Sequence, residues 1–384
     1  MKVATLTLPL HTNYGGNLQA FALQKTLIKL GHDAVLLNYR KGALRKSIFR
    51  RVASKIKNFA LPSNKTSHFV FSQHEQNEIN KHHDSFIKKN IITSSPFYDE
   101  DSLKKFILDN KIECVIVGSD QVWRPKYTPK ISPFYLNFIY EHSNIKKVSY
   151  AASFGVDLWE YTSSELSECK KLIASFDSIS VRESIAVDMC QEFFEVDAEH
   201  VLDPTLLLSK DEYINLFEKY NMPSFKGKIF SYVLDSDENK TAFMDQISSF
   251  LNKEIFTTYP KKHIKTESII SNISDYQFPS VEAWLKSFHD ADFVVTDSFH
   301  GTVFAIIFNK PFIAICNKER GSARFKSLLK MFSLEDRLVY DMTEVDFNLV
   351  NSPIDYDRVN EDLNLQRIKS LDFLAKALSI PVNV

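Results

Sequence analysis

The sequence predicts an α/β protein built of two Rossmann-like domains facing across a cleft, and three observations carry that prediction. Short β-rich apolar runs alternate with helix-period segments, the pattern of a mostly parallel sheet covered by helices. The alternation occurs twice, on either side of a polar stretch from Asn221 to Gly227 that has the Pro and Gly of a linker. The chain has 384 residues, which at roughly 100–200 residues per domain is two domains. The expected division is 1–222, with a basic insertion at 40–66, and 223–384.

In the first half, Val3 to Leu8 reads as a strand and Leu18 to Leu30 as a helix on Leu18, Phe21, Ala22, Leu27 and Leu30, stopped by Gly31. Strands are expected at Ala34–Tyr39, Val115–Val117, Lys147–Ala151, Ser178–Val181 and Val201–Leu202, and helices at Asp101–Asn110, Ser163–Ser175, Glu183–Phe194 and Lys210–Tyr220. His68 to Asn90 reads as an exposed helix with few apolar positions. In the second half the expected strands are Lys228–Leu234, Glu254–Thr258, Phe293–Thr296 and Phe312–Ile315; the helices are Asn239–Leu251, Val281–His289, Val303–Phe308 and Arg324–Phe332. No period of 20–50 residues repeats, which excludes a solenoid.

Composition removes several function classes. Lys+Arg 47 against Asp+Glu 48 gives a net charge of −1, so no global basic field draws the chain to nucleic acid, and no nucleic-acid partner is expected. Cys114, Cys169, Cys190 and Cys316 lie far apart without ligand spacing, so neither a structural zinc nor a disulfide framework is expected, and no metal site is. The apolar run after Met1 is too short for a signal-peptide core, and the longest apolar stretch, Gly301 to Cys316, is broken by Asn309, Lys310 and Pro311. A cytoplasmic protein is expected. One segment stands apart: from Arg40 to Lys65 there are nine cations and no acidic residue, with Leu44, Ile48, Val52, Ile56 and Phe59 at helical spacing. It reads either as a basic amphipathic helix touching anionic lipid at the inner face of the membrane, or as a solvated flank or lid.

Four motifs follow predicted strands, at the carboxyl ends where open α/β sheets bind ligands. Asn13, Tyr14, Gly15, Gly16 and Asn17 form the first; Asn17 or Gly16 can cap the helix and turn free amides into the cleft, or the glycines simply make a tight turn. In the second, Ser119, Asp120, Gln121 and Trp123, the Asp can accept a proton from a sugar hydroxyl and the Trp can stack on a pyranose, or the pair is a capped loop and a core Trp. In the third, Arg182 ends a strand and is expected to face the cleft as a bidentate anion ligand, the alternative being an ion pair with Glu183 or Asp203. The fourth and sharpest presents His300, with Ser298, Gly301 and Thr302 supplying hydroxyl and amide donors at a helix start. Arg320 and Arg324, around Gly321, are further candidate anion ligands, and Asp235 to Asp237 reads as a solvated turn rather than a metal site.

Taken in order, NYGGNLQAFAL, VGSDQVW, SVRES followed by LDPTLLL, and TDSFHGTVFAIIFNKPFIAI resemble the polysaccharide pyruvyl transferase family over about residues 1–340. The resemblance implies a glycosyltransferase-B-like fold. It implies transfer of the enolpyruvyl-derived group of phosphoenolpyruvate, as co-substrate and without another cofactor, to two hydroxyls of a sugar. The product is a cyclic pyruvate ketal in bacterial surface polysaccharide, with an acceptor often carried on a polyprenyl lipid. The family's Arg-x-His-Gly histidine matches His300 and its Arg after a central strand matches Arg182, while Ser298 stands where the family has a second Arg. The expected roles are His300 as general acid and phosphate-side ligand, Arg182 and Arg324 as donor clamps, with Arg324 and Arg320 taking over the charge of the missing Arg, and Asp120 as base or sugar ligand. Two other readings share the scaffold: a nucleotide-sugar-dependent glycosyltransferase, and a non-catalytic glycan- or lipid-binding scaffold.

Overall fold

A computed structural model describes residues 1–40, 72–128, 130–262, 272–316 and 321–379. Beyond Arg40, the basic insertion at 40–66, and with it the expected membrane contact, lies outside the described residues, as does Arg320.

The first sheet holds β1 (Lys2–Leu6), β2 (Asp33–Leu36), β3 (Cys114–Val117), β4 (Lys146–Ala152), β5 (Ser178–Val181) and β6 (Glu199–His200) in the order β2-β1-β3-β4-β5-β6. Every pairing is parallel, so the central strands are covered on both faces. Their apolar runs carry no alternation for that reason: all four residues of β3 are buried. The second sheet holds β7 (Ile229–Tyr232), β8 (Ile255–Phe256), β9 (Phe293–Thr296), β10 (Phe312–Ile315) and β11 (Leu338–Val339), also parallel, in the order β11-β10-β9-β7-β8. The strand expected at Val201–Leu202 pairs two residues earlier, at Glu199–His200.

The helices of the first half are α1 (Tyr14–Lys29), α2 (Gln73–Asn90), α3 (Glu100–Asp109), α4 (Ser163–Ile173), α5 (Ser184–Met189) and α6 (Lys210–Phe217). Those of the second are α7 (Glu238–Leu251), α8 (Val281–Asp290), α9 (Phe299–Ile307), α10 (Ala323–Met331), α11 (Asn348–Asn351) and α12 (Tyr356–Leu378). α1 and α9 begin four residues before the expected starts, because Asn13 and Ser298 cap them. α2 is less exposed than expected: it buries Ile79, His83 and Phe86.

The long α12 was not expected at all. It starts on the second half, where the Tyr356 hydroxyl donates to Lys310 O (2.5 Å), and ends on the first. There Ser370 Oγ accepts from Leu202 N–H (3.0 Å), Arg367 donates to Leu206 O and Leu208 O, and Phe373 packs on Tyr150. One apolar core runs through both halves, joining Leu206 and Tyr213 to Phe304 and Trp284.

Strand order reverses once in each sheet. β1 lies between β2 and β3, and β7 between β8 and β9, so connections leave in opposite directions beside β1 and β7. A crevice opens at the carboxyl ends of strands at such a point. Here the two crevices face each other.

Candidate active site

A cleft of about 640 Å³ fills that space. From the first half it is lined by the loop after β1 (Leu8, Pro9, His11, Thr12, Asn13), the start of α1 (Tyr14, Gly15), the loop after β3 (Asp120, Gln121) and Tyr127. The second half contributes Tyr232, Leu234, Tyr259 and Phe278, then Asp297, Ser298, Phe299 and His300 after β9, and Arg324 at the start of α10.

His300 is carried by the second half but seated on the first. A Cβ added at Gly15 would lie 2.1 Å from His300 Nδ1, so the ring occupies the space a side chain there would need. On its other side, His300 Nε2 lies 3.6 Å from Asp203 Oδ2. Asp203 is fully buried; its Oδ1 accepts from Thr205 N–H (3.0 Å) and Oγ1 (2.6 Å), and its Oδ2 accepts from Arg182 Nη1 (2.9 Å). Burial alone would raise the Asp203 carboxyl; His300, Arg182 and Thr205 outweigh it and hold it well below the usual carboxylate range.

Arg182 corrects the expectation of a cleft-facing clamp. Its side chain is 1% exposed, lies 4.5 Å behind the Phe299 ring and is not part of the lining. The ion-pair alternative is the one found: besides Asp203, Arg182 Nε donates to Glu183 Oε1 (3.3 Å), and Nη2 stands 3.9 Å from Asp120 Oδ1. Burial opposes its charge, but these three carboxylates raise the guanidinium above its ordinary value. Arg324 is the only Lys or Arg among the described lining residues. Burial, then the nearby Arg182, push it down to about 10, so it stays charged at neutral pH. Both guanidiniums flank Phe299, Arg324 at 5.8 Å.

Asp120 lines the cleft at the positive φ of 72°, a conformation Asp tolerates, and its Oδ1 accepts from Gln121 N–H (2.9 Å). Asp297 is paired instead: its carboxylate accepts from Leu234 N–H (2.6 Å), Asp235 N–H (3.2 Å) and Lys240 Nζ (2.7 Å), tying β9 to the loop after β7. His11 is lowered by burial, with Asp120 working against the shift.

Several expected site residues are elsewhere. Trp123 is fully buried, stacked on Tyr135 at 5.2 Å with its Nε1–H on Phe134 O (3.0 Å); it is the core Trp, not a sugar platform. Ser119 is buried and donates to Ala151 O (2.8 Å). Asn17 is buried too, with Nδ2 donating to His11 O (2.8 Å), and Asn13 rather than Asn17 or Gly16 is the N-cap, accepting from Gly16 N–H (3.1 Å). The amides offered to a phosphate are also engaged. Gly301 N–H goes to Ser298 Oγ (3.3 Å), Thr302 N–H to Ser298 O (3.0 Å), and Thr302 Oγ1 to the same carbonyl (3.2 Å). Gly301 is needed for packing: a Cβ there would sit 2.1 Å from Thr296 Oγ1. Ser298 lines the cleft as a cap rather than as a charge.

The cleft therefore carries both polar and apolar lining. His300, Arg324 and Asp120 line it together with an apolar wall of half-buried Leu8, Pro9, Leu234, Tyr259 and Phe278. Sequence reasoning missed that wall, because its members come from loops without a motif. It also passed over Asp203 except as an ion-pair partner, although Asp203-Pro204 directly follows a strand region. Among the described residues no group of three or more His, Cys, Asp or Glu is placed to hold a metal ion, and no helix is long and apolar enough to cross a membrane.

Comparison with known proteins bears on fold and family. S. aureus MnaA, in its UDP co-structure, superposes with a TM-score of 0.53 at 12% identity over 98% of this chain and 97% of that one. UDP-GlcNAc 2-epimerases from Methanocaldococcus jannaschii, in complex with UDP-GlcNAc and UDP, and from Neisseria meningitidis, bound to UDP-GlcNAc, give 0.51 at 12% and 0.50 at 11% identity, each covering 98% of this chain and 99% of the other. At such identity the likeness is one of fold, and the fold is glycosyltransferase-B-like. No curated protein matches the sequence. The polysaccharide pyruvyl transferase profile matches residues 13–319, from the cap of α1 through β10. The chain belongs to the polysaccharide pyruvyl transferase family, whose members are transferases.

Proposed function

We propose that the protein transfers the enolpyruvyl-derived group of phosphoenolpyruvate to two hydroxyls of a sugar acceptor, forming a pyruvate ketal and phosphate, in the assembly of bacterial surface polysaccharide. The observation that carries the reading is the meeting of His300, Arg324 and Asp120 in one cleft of a chain from this family. Ketal formation needs an acid for the enol carbon, a base for the attacking hydroxyl and a cation for the donor. In this reading protonated His300 gives its proton to C3 of the enol, the C2–C3 π pair becomes the new C–H bond, and a hydroxyl oxygen bonds to C2 as its proton passes to Asp120. The second hydroxyl then replaces phosphate, which leaves with the C2–O pair; that hydroxyl's proton restores His300, and the proton on Asp120 ends on phosphate. Arg324 holds the donor's anionic groups. The apolar wall of Tyr259, Phe278 and Leu234 takes the acceptor ring in place of Trp123. No metal or organic cofactor enters these steps, and contact of residues 40–66 with anionic lipid at the inner face of the membrane, where a polyprenyl-linked acceptor lies, belongs to the same proposal.

The test is phosphate release from phosphoenolpyruvate across galactoside, N-acetylmannosaminide and polyprenyl-linked acceptors, with product masses measured in parallel. Acceptor-dependent phosphate with a matching ketal mass is expected. Silence across the panel, together with thermal stabilisation by a nucleoside diphosphate, would replace the reading with nucleotide-sugar glycosyl transfer on the same fold. Acceptor binding without turnover of either donor would leave a glycan-binding scaffold.

A further inference from the structure

We propose that Asp203 is the positioning residue of His300. It holds Nε2–H from behind, so that Nδ1, on the edge seated against Gly15, is the nitrogen that exchanges protons with the cleft. The inference rests on the transfer reaction above only for the use to which that proton is put.

Three observations converge. Nε2 is sealed from solvent and has no hydrogen-bond partner within normal distance, and the acceptor it faces at 3.6 Å is Asp203 Oδ2. Asp203 is itself fixed from three directions, by Thr205 N–H, Thr205 Oγ1 and Arg182 Nη1, so its position is set before His300 arrives. The remaining ring nitrogen lies on the edge that Gly15 accommodates only because it has no Cβ. A buried carboxylate acting on one imidazole nitrogen fixes which tautomer the ring adopts and steadies its protonated form. Arg182, which the family resemblance casts as a donor clamp, here backs the carboxylate that backs the histidine, and so acts on the cleft at second hand. Because Asp203 and Gly15 belong to the first half and His300 to the second, the working orientation of the ring exists only while the two halves are together.

The tautomer can be read without substrate. With [15N]histidine incorporated into the full chain and the His300 signals identified by their loss in His300→Gln, the neutral ring is expected to be protonated at Nε2 and to show the unprotonated nitrogen shift at Nδ1. In Asp203→Asn, whose side chain still bonds Thr205, the amide turned toward Nε2 should shift the population toward Nδ1–H. A wild-type ring protonated at Nδ1, or a tautomer indifferent to Asp203→Asn, overturns the proposal, and the wild-type spectrum decides even if the variant does not fold. In turnover, Asp203→Asn should lower kcat on the order of 10²-fold or more with little change in the KM for phosphoenolpyruvate; equal loss in both parameters would point to general damage and count against it.

Gly15→Ala supplies a second arm. Alanine favours a helix more than glycine does, so the fold should hold while the methyl drives the ring off its seat, with kcat falling at least tenfold and the His300 signals moving. Normal turnover in Gly15→Ala removes the seat. The spectroscopy and the chemistry fail separately: an Asp203-dependent Nε2–H tautomer in a protein that never turns over phosphoenolpyruvate keeps the pair and removes the transfer reading. Turnover with a tautomer blind to Asp203 does the reverse.

Discussion

His83 sits beneath the cleft rather than in it, and its surroundings make stability depend on pH. The ring is fully buried against Tyr14 at 4.5 Å, and Nδ1 lies 2.9 Å from Asn17 Nδ2, an arrangement that needs Nδ1 as acceptor. Burial first, then His11 and His82, lower it from 6.5 to about 3. Because its pKa is lower folded than unfolded, the unfolded chain binds the extra proton between those values. Stability is therefore intact above about pH 6.5 and is lost as pH falls toward 3, at a slope approaching about 1.4 kcal/mol per pH unit. His11 and His200, both lowered chiefly by burial, act in the same direction. Urea unfolding at about pH 7 and about pH 5.5 should show wild type losing about 1 kcal/mol more than His83→Gln over that interval. Equal losses would place His83 in water or in a different pairing. Nothing in the local sequence announces this residue: His82 and His83 are adjacent on α2, and only the packing of α2 on α1 decides which one is buried.

At the level of elements, the helix start at Ser298 and the neighbouring start of α10 both border the cleft, and the resemblance implies a second Arg where Ser298 stands. Ser298 Oγ caps α9 through Gly301 N–H, and Arg324 reaches the same cleft one strand later. Arg324→Ala should therefore weaken the donor, since a hydrogen-bonded charge lost from a site costs about 1.5–3 kcal/mol, or about 10–100-fold in KM for phosphoenolpyruvate. Ser298→Arg alone should lower stability by about 1 kcal/mol through the lost cap and gain nothing in turnover beside Arg324. The double variant, Ser298→Arg with Arg324→Ala, should recover donor affinity relative to Arg324→Ala. Failure to recover would show that an Arg at position 298 cannot stand in for Arg324 and that Arg324 does other work. The same elements show what was legible in the chain. β3, β9 and β10 are readable almost to the residue because buried parallel strands are largely apolar runs, β5 through its alternating Ile179 and Val181, and His300, Asp120 and Arg324 are readable as cleft residues because they follow such strands or open a helix. Helix starts at α1 and α9 were misplaced, since the capping Asn13 and Ser298 stand before the first apolar position. Trp123 was misplaced for a different reason: a motif places a side chain on a loop, and only the packing of Tyr135 and Phe134 against that loop decides which way it points.

Over the whole molecule, α12 is the piece that no local pattern disclosed and that ties the two halves into one body. Its apolar stripe is blurred by exposed Leu365 and Ile368, so the period does not stand out. Its contacts are plain. Beginning beside Lys310 of the second half, it crosses to the first, where Arg367 Nε donates to Leu206 O (2.6 Å) and Nη2 to Leu208 O (2.9 Å). Those carbonyls close the segment that begins at Asp203, so the helix braces from outside the carboxylate that faces His300 from within. Burial lowers the Arg367 guanidinium without neutralising it, and its charge-assisted bonds are of the stronger kind. Arg367→Met keeps most of the stem and deletes the donors, leaving two carbonyls short of partners at a cost of about 1–3 kcal/mol each if they stay dry. Urea unfolding of Arg367→Met should shift to a lower midpoint with an unchanged slope if the two halves still unfold as one unit. kcat should fall less than in Asp203→Asn, because Thr205 and Arg182 still hold the carboxylate. A variant as stable as wild type would mean that water replaces the guanidinium at both carbonyls; a loss of kcat equal to that of Asp203→Asn would mean that the brace, rather than the local hydrogen bonds, sets the position of Asp203.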